Sequence, residues 1–258
     1  MNIEAVKDEL MRLGMSSPKI VYYDMTDSTN TRAREYARDT DRREPVVFVA
    51  DGQTAGRGRR GRSFFSESGA GIYVSFLVYP TSRGASATNI TAYAAVSLAR
   101  AVCGCSRVSP LIKWVNDLYI NDKKLAGILA ECEMSSDGEI SHLVLGMGIN
   151  VYKTELPDEI SSIATSIEDA SGEKISREIL LARIIFEFLS NLSDAGSDEV
   201  YEEYKSRLFV LGREITVVRM GERYRARAVS LTREFSLVTE SENYGRECLY
   251  SGEISTEI

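Results

Sequence analysis

The chain has few of the residues on which several large enzyme classes depend. Among 258 residues there is one histidine, His142, which stands in a stretch of alternating apolar and polar residues. Serine and cysteine triads need a histidine base and metal hydrolases need histidine ligands, so the sequence argues against both. No apolar run approaches the roughly 18 residues that cross a bilayer, and the N-terminus lacks the pattern of a signal peptide. We therefore predict a cytoplasmic protein that makes no use of a membrane.

Cysteine and net positive charge are also scarce. The four cysteines include a Cys-Gly-Cys at 103–105 rather than the spacing of a zinc site or redox pair, which predicts free thiols. The net charge is −7 at pH 7, which argues against a dedicated DNA-binding protein. About 20 residues precede the first strand-like run, too few for a three-helix DNA-binding unit. We therefore expect no DNA partner.

One basic segment stands out against this acidic background. Residues 56–62 read Gly-Arg-Gly-Arg-Arg-Gly-Arg. Arginine binds phosphate through paired N–H groups, and glycine lets the backbone approach a ligand closely. The segment therefore predicts a loop that binds a polyanion. Its charge alone leaves two partners open, a nucleoside triphosphate and a nucleic acid backbone.

The order of the predicted elements indicates an α+β fold. Apolar periodicity and cap residues predict helices, whereas β-branched and aromatic runs predict strands. Because Asn121-Asp122 is a hairpin signal and hairpins recur, the sheet should be mixed or antiparallel. We predict helices over 3–13, from the caps at 27–30 to 38, and over 88–103, 176–193 and 198–209, with strands over 19–25, 45–50, 72–79, 111–114, 118–120, 124–131 and 140–151.

The pattern changes in the last part of the chain, where no helical period is found. Short strand-like runs over 214–219, 223–231, 236–240 and 245–250 are separated by turn residues. Such a series predicts a small β-barrel. We therefore divide the chain into a larger domain at 1–210 and a C-terminal barrel at 211–258.

Four motifs occur in a fixed order along the larger domain. They are Asp-Ser-Thr-Asn at 27–30, Asp-Gly-Gln-Thr-Ala and the basic segment at 51–62, Lys-Trp-Val-Asn-Asp-Leu at 113–118 continuing as Lys-Lys-Leu-Ala-Gly-Ile-Leu at 123–129, and Gly-Met-Gly-Ile-Asn-Val at 146–151. Together they resemble the biotin protein ligase family over nearly the whole chain, and residues 251–255 resemble the end of that family's C-terminal barrel. The resemblance implies a catalytic domain like that of class II aminoacyl-tRNA synthetases, followed by an SH3-like β-barrel. It implies the monofunctional form without the DNA-binding N-terminal domain, and it leaves a homodimer open.

The resemblance implies a reaction in two steps. Biotin and ATP give biotinyl-5′-adenylate and pyrophosphate, and the biotin then passes to one lysine of a biotin carboxyl carrier protein or domain. The first step joins two anions, so cations should lie where negative charge accumulates. By resemblance the catalytic residues are Arg57, Lys113, Asp117 and Lys124, with Mg²⁺ bound to ATP assigned to Asp117.

The resemblance also implies two binding sets that overlap at the basic segment and at Lys124. The biotin set is Ser28, Thr29, Asn30, Gln53, Gly56, Arg57, Gly58, Arg59, Lys124, Gly127, Gly146 and Gly148. The ATP set is Arg57, Arg59, Arg60, Arg62, Phe64, Asn116, Lys124 and Asn150. Ordinary structural explanations stay open for some members, since Ser28 also fits a helix N-cap and Asn116-Asp117 also fits a turn.

The chain departs from the family pattern at two positions. Val115 stands where proline is usual, and Phe64 stands where many bacterial members have a tryptophan near the adenine, although phenylalanine can still stack. Two other functions fit part of this sequence. An RNA-binding module would need aromatic residues interleaved with the arginines, and only Phe64 and Phe65 lie nearby. A lipoate–protein ligase would share the fold, but that family's arginine-glycine motif ends near a histidine, and His142 lies elsewhere.

Overall fold

A seven-stranded mixed sheet forms the centre of the larger part of the chain. The structure is a computed structural model and describes residues 1–79, 86–135, 140–219, 222–250 and 252–255. The spatial order is β1-β2-β3-β7-β6-β5-β4, in which β1 and β2 run parallel and every other pair is antiparallel. The α+β prediction with a mixed sheet is therefore confirmed. The strands are β1 Lys19–Thr26, β2 Val46–Gln53, β3 Gly71–Val78, β4 Leu111–Lys113, β5 Asp117–Ile120, β6 Lys123–Met134 and β7 Ile140–Asn150.

Helices cover both faces of this sheet. One face packs against α3 and α6, with α1 on α6, and the other face packs against α2. This explains the unbroken apolar run in β2: Val47 and Val49 join the core under α3 and α6, whereas Val46 and Phe48 pack under α2. The helices are α1 Ile3–Arg12, α2 Thr29–Arg38, α3 Ala87–Cys105, α4 Asp158–Ser161, α5 Ile167–Ser171, α6 Arg177–Leu189 and α7 Asp198–Arg207.

The C-terminal region forms a second, five-stranded antiparallel sheet of the SH3-like kind that the sequence predicted. Its order is β11-β10-β9-β8-β12. It is anchored on the first region by aromatic residues: Trp114 Nε1 donates a 2.8 Å hydrogen bond to the Phe235 carbonyl, and the rings of Tyr201 and Tyr204 pack on Phe235. One hydrophobic cluster therefore runs through both sheets. The strands are β8 Glu214–Arg219, β9 Glu222–Leu231, β10 Leu237–Ser241, β11 Gly245–Leu249 and β12 Glu253–Ser255.

Two local backbone features occur within residues 113–129, the stretch that holds the third motif. Asn121 and Asp122 both have positive φ, 49° and 61°, and they turn β5 back into β6 as the hairpin signal predicted. The peptide bond between Trp114 and Val115 is cis.

Residue 251 of the last motif lies outside the described residues, so only Gly252 to Ser255 of that motif can be located. None of the helices in the described part of the chain has the length and apolar character that crossing a bilayer requires.

Candidate functional site

A cleft of about 140 Å³ brings most of the predicted residues together. It opens between β6 and β7, the start of α2, the basic segment and the beginning of β12. Every member of the biotin set except Gly56 lines it, and every member of the ATP set except Asn150. The lining residues are Ser28, Thr29, Asn30, Gln53, Arg57, Gly58, Arg59, Arg60, Arg62, Ser63, Phe64, Asn116, Asp117, Lys124, Gly127, Ile128, Leu129, Gly146, Met147, Gly148, Gly252 and Glu253.

One side of the cleft is lined by Thr29, Asn30 and Gln53. Ser75 does not line the cleft but joins them in one hydrogen-bonded group, and the four uncharged side chains are here called the amide wall. Gln53 Oε1 accepts from the Thr29 backbone N–H at 2.8 Å and lies 3.2 Å from its hydroxyl. Ser75 Oγ lies 2.7 Å from Thr29 Oγ1 and 2.6 Å from Asn30 Oδ1. Three of the four residues are almost fully buried, so these contacts fix the wall in one arrangement.

Ser28 precedes the amide wall at the N-cap position of α2. Its backbone is extended as an N-cap requires, but its side chain makes no capping hydrogen bond. Ser28 is buried and lines the cleft. Its position in the chain therefore fits the N-cap. Its hydroxyl does not cap the helix, and the residue contributes to the wall of the cleft instead.

The glycines of the fourth motif make room for neighbouring side chains. A Cβ on Gly146 would overlap the side-chain amide of Asn30, and a Cβ on Gly148 would come within 2.5 Å of the Phe64 ring. Both glycines lie on β7, beside the central strands β3 and β6. They therefore let the amide wall and an aromatic ring approach the sheet closely.

The opposite side of the cleft is the basic segment, which folds into a narrow hairpin over residues 56–64, here called the arginine hairpin. Gly58 N–H donates to the Arg62 carbonyl at 2.7 Å, and Phe64 N–H donates to the Gly56 carbonyl at 2.9 Å. Arg60 and Gly61 turn the chain with φ of 56° and 75°. The tight turn spreads the arginine side chains along the cleft.

Each arginine of this hairpin contacts a group from a distant part of the chain. Arg57 Nη2 donates to Glu131 at 2.9 Å, and Arg59 Nη1 donates to Asn116 Oδ1 at 2.8 Å. Arg62 forms an ion pair with Glu253 of β12, and Arg60 Nη1 lies 3.9 Å from the same carboxylate. Burial lowers the pKa of Arg59, whereas the hydrogen bond from Arg62 lowers the pKa of Glu253. The C-terminal sheet thus supplies part of the site.

Lys124 reaches the cleft from the start of β6. Its Nζ lies 2.8 Å from Asp117 Oδ2, and Asp117 Oδ1 accepts from Asn116 Nδ2 at 2.7 Å. A Cβ on Gly127 would sit 3.2 Å from Lys124 Nζ, so the glycine leaves room for this ion pair. Lys123, its neighbour in the sequence, is exposed and lines no part of the cleft. The arrangement holds one ammonium group at a fixed position beside the arginines.

Three predicted residues lie off the cleft wall. Lys113 is opposite Asp117 in the β4–β5 ladder, where its Nζ lies 5.3 Å from the centre of the Tyr119 ring and burial lowers its pKa. Asn150 donates to the Thr165 carbonyl at 3.0 Å and lines a separate small cavity. Gly56 lies at the neck of the arginine hairpin, where a Cβ would come within 2.6 Å of Ser66 Oγ.

Three residues of the site were missed by the sequence analysis. Ser75 is a small polar side chain in the otherwise apolar and aromatic strand β3, which is a signal in the sequence. Glu131 lies two residues after the end of the third motif, and Glu253 lies inside the terminal motif. Neither carboxylate has a local pattern that indicates its arginine partner, because the contacts join residues 74 and 191 positions apart.

Known proteins are similar to this chain in sequence and in fold. A profile of the biotin/lipoate A/B protein ligase family matches residues 22–150. The biotin–[acetyl-CoA-carboxylase] ligase of Paracoccus denitrificans is 31% identical over 205 residues, which cover 76% of this chain and 83% of that protein. The structure of a biotin protein ligase from Aquifex aeolicus in complex with biotin and ATP superposes with a TM-score of 0.78 at 28% identity, covering 92% of this chain and 97% of that one.

A match that spans half of the chain, together with a relative above 30% identity, establishes the family. The chain belongs to the biotin/lipoate A/B protein ligase family. The bifunctional ligase/repressor BirA of Bacillus spizizenii is 37% identical over 177 residues, and that segment covers 68% of this chain but 54% of BirA. The chain therefore spans about half the length of that curated relative.

Proposed function

We propose that this chain activates biotin with ATP and transfers it to a lysine of a biotin carboxyl carrier domain. The observation that carries the proposal is the pairing of two unlike walls across one cleft: uncharged hydroxyl and amide side chains on one side, and four arginines with a lysine on the other. A small bicyclic urea needs a few fixed donors and acceptors, whereas a carboxylate and a triphosphate need cations. The Aquifex relative, bound to biotin and ATP, supports the same pairing.

In the first step the biotin carboxylate attacks the α-phosphorus of ATP, and pyrophosphate leaves. Arg57 is assigned to the carboxylate and α-phosphate, and Arg59, Arg60 and Arg62 are assigned to the other phosphates. Lys124 is assigned to the oxygen that bridges the two reacting groups. Their charges lower the repulsion between two anions and stabilise the charge that builds up in the transition state.

In the second step the amine of the carrier lysine attacks the biotinyl carbonyl, and AMP leaves. Lys124 stays beside the bridging oxygen, which takes up negative charge as the anhydride breaks. Asp117 lies 2.8 Å from Lys124 Nζ and is the carboxylate that we assign to hold it and to take a proton from the incoming amine. Phe64, lying over Gly148, is assigned to the adenine side of the cleft.

We propose that Mg²⁺ enters the cleft as a complex with ATP. In the described part of the chain, no three His, Cys, Asp or Glu side chains form a group that could hold a metal ion. Two carboxylates line the cleft, Asp117 and Glu253, and each is already paired with a cation. Mg²⁺ usually keeps several waters and relies on one or two carboxylates plus phosphate oxygens. To bind Mg²⁺, the Asp117 carboxylate would have to give up its ion pair with Lys124.

The division into domains follows the same assignment. We propose that residues 1–210 form the catalytic domain and that residues 211–258 form a C-terminal domain. Glu253 supports a role for the latter at the cleft, since it contacts Arg62 from β12. A homodimer and the absence of DNA binding stay predictions from the sequence.

The proposal is tested by incubating the protein with ATP, Mg²⁺, labelled biotin and an acceptor carrier domain. We expect label on one carrier lysine and none when ATP is left out. A parallel incubation replaces biotin with labelled lipoate, because the family includes ligases for both acids. Transfer of lipoate without transfer of biotin would overturn the proposal.

A further inference from the structure

Glu131 contacts both sides of the cleft, although no motif predicted a role for it. Its Oε2 accepts a hydrogen bond from Asn30 Nδ2 at 2.8 Å, and its Oε1 accepts one from Arg57 Nη2 at 2.9 Å. Asn30 belongs to the amide wall and Arg57 to the arginine hairpin. One carboxylate on β6 therefore joins the two structures that face the ligand.

On the amide wall, Glu131 fixes which way the Asn30 side chain points. Asn30 gives its NH₂ to Glu131, while its Oδ1 lies 2.6 Å from Ser75 Oγ. The residue is 4% exposed, and rotating the amide would set its oxygen against the Glu131 carboxylate, where neither group can donate a hydrogen bond. Gly146 provides the space that this orientation needs.

On the arginine hairpin, Glu131 engages only part of the Arg57 guanidinium. A guanidinium carries five N–H donors in one plane, and the hydrogen bond to Glu131 uses the terminal nitrogen Nη2. Arg57 itself lines the cleft, whereas Glu131 does not. The carboxylate therefore supports the guanidinium from behind and leaves donors that face the cleft.

The charge balance around Glu131 also favours an anion in the cleft. A second guanidinium, that of Arg34 on α2, places Nη1 3.6 Å from the same oxygen that Arg57 contacts. Two cations therefore share one carboxylate, and the cluster keeps one positive charge. An arrangement that merely neutralised Arg57 would need no second cation.

We propose that Glu131 is a positioning residue. It holds the Arg57 guanidinium in the plane that receives the biotin carboxylate, and it connects that guanidinium to Asn30 of the amide wall. The inference rests on the proposed function, because it takes biotin as the ligand and Arg57 as its carboxylate partner. It predicts that removing Glu131 weakens recognition of the carboxylate in particular. General damage to the cleft would weaken every biotin-like ligand alike.

The test compares biotin with biotin amide, in which a neutral carboxamide replaces the carboxylate. Calorimetric affinities for both ligands are measured with the wild-type chain, Glu131→Ala, Arg57→Ala and the double variant. The ratio of the two affinities reports the contribution of Arg57, since the rest of the ligand is unchanged. Glu133→Ala is the matched control: it removes the same charge two residues further along β6, where Glu133 is exposed and faces His142.

We expect the wild-type chain to favour biotin, and Glu131→Ala to reduce the affinity ratio about tenfold, the effect of losing one charge-assisted hydrogen bond. Arg57→Ala should reduce it similarly, and the double variant should show no further reduction, because both substitutions break one unit. Glu133→Ala should keep the wild-type ratio. Glu131→Ala with an unchanged ratio, or additive effects in the double variant, would overturn this inference while leaving the proposed function intact. Failure of the wild-type chain to bind biotin would overturn both the inference and the proposed function.

Discussion

The two walls of the cleft are built in opposite ways. The amide wall of Thr29, Asn30, Gln53 and Ser75 is buried, and its members bond mainly to one another. The arginine hairpin is half exposed, with Arg57 at 39% and Arg62 at 65%, and it bonds to carboxylates from β6 and β12. Exposed ion pairs contribute about 0–1 kcal/mol each, so an incoming anion can replace the contacts of Arg60 and Arg62 with Glu253. We therefore expect the amide wall to be fixed before a ligand arrives, and the outer arginines to exchange Glu253 for the ligand while Arg57 stays on Glu131.

The largest effect of a substitution in the cleft is expected at Lys124. Lys124→Ala removes the ammonium group held by Asp117, and with it the charge proposed to stabilise the reacting oxygen. Formation of adenylate should slow by about a hundredfold to a thousandfold, the usual cost of losing one fixed charge-stabilising group. The rate of biotin-dependent pyrophosphate release measures it. Lys123→Ala, which changes an exposed neighbour, is the control, and equal rates in the two variants would remove Lys124 from the reaction.

The fixed character of the amide wall is tested at Gly146. A methyl group there would overlap the Asn30 amide, so Gly146→Ala must displace a buried, hydrogen-bonded side chain. We expect biotin affinity to fall by at least about tenfold and the free energy of unfolding to fall by about 1–3 kcal/mol. Calorimetry and chemical denaturation give the two values. Gly196→Ala, whose Cβ would meet nothing closer than 3.7 Å, should change neither. A wall that tolerates the extra methyl would not be the rigid surface described here.

Salt concentration should affect binding at the arginine hairpin more than binding at the amide wall, so it tests the difference without any substitution. Screening weakens contacts between exposed charges, so raising KCl from low concentration to about 0.3 M should raise the KM for ATP several-fold. The affinity for biotin amide, which carries no charge for the arginines to bind, should change by less than about twofold. Steady-state kinetics and calorimetry in the same buffers give the comparison. Equal sensitivity of both ligands would show that the walls do not differ in this way.

The smallest effect concerns His142, which lies outside both walls. Burial lowers its pKa, although Glu133 lies 3.8 Å away and acts in the opposite direction. Below a pH of about 6.5 the unfolded chain therefore binds a proton that the folded chain does not. The free energy of unfolding should fall as pH falls below this value, by at most about 1.4 kcal/mol per pH unit.

Because the sequence has a single histidine, substituting His142 removes the whole histidine contribution to the pH dependence of stability. His142→Gln should flatten the slope of stability against pH between about 6.5 and 5.5, as read from urea unfolding curves. It should leave adenylate formation unchanged. A slope that survives the substitution would assign the titration to carboxylates instead.

Motifs located the site because most of its residues lie in short local patterns. The Gly-Arg segment and the Lys-Lys-Leu-Ala-Gly run each place several side chains on one wall, and the turn at Asn121-Asp122 aims β6 at the cleft. Most elements were predictable for a similar reason, since caps and apolar runs are local. Some ends were wrong, because α6 stops at Leu189 rather than 193 and β6 continues to Met134 rather than 131, and the short helices α4 and α5 were not predicted. The β2 run Val46–Val49 reads as a buried strand because both of its faces are covered.

Contacts made across the sheet could not be predicted in this way. Glu131 and Asn30 are 101 residues apart in the sequence, and their contact depends on α2 packing across β2, β3 and β7, the last of which is the neighbour of β6. The ion pair between Arg62 and Glu253 depends on how the C-terminal sheet docks, which the Trp114–Phe235 contact determines. The position of Lys113 depends on strand orientation. A motif predicts that a residue lies near the site, whereas the packing of the strands determines whether its side chain faces the cleft.

The most direct test of the central claim is the product of the first step. The protein is incubated with Mg²⁺ and α-labelled ATP, together with either biotin or lipoate, and the bound nucleotide is identified by mass. We expect biotinyl-5′-adenylate with biotin, and no acyl-adenylate with lipoate. Lipoyl-adenylate, or unchanged ATP in the presence of biotin, would contradict the assignment of the two walls to biotin and ATP.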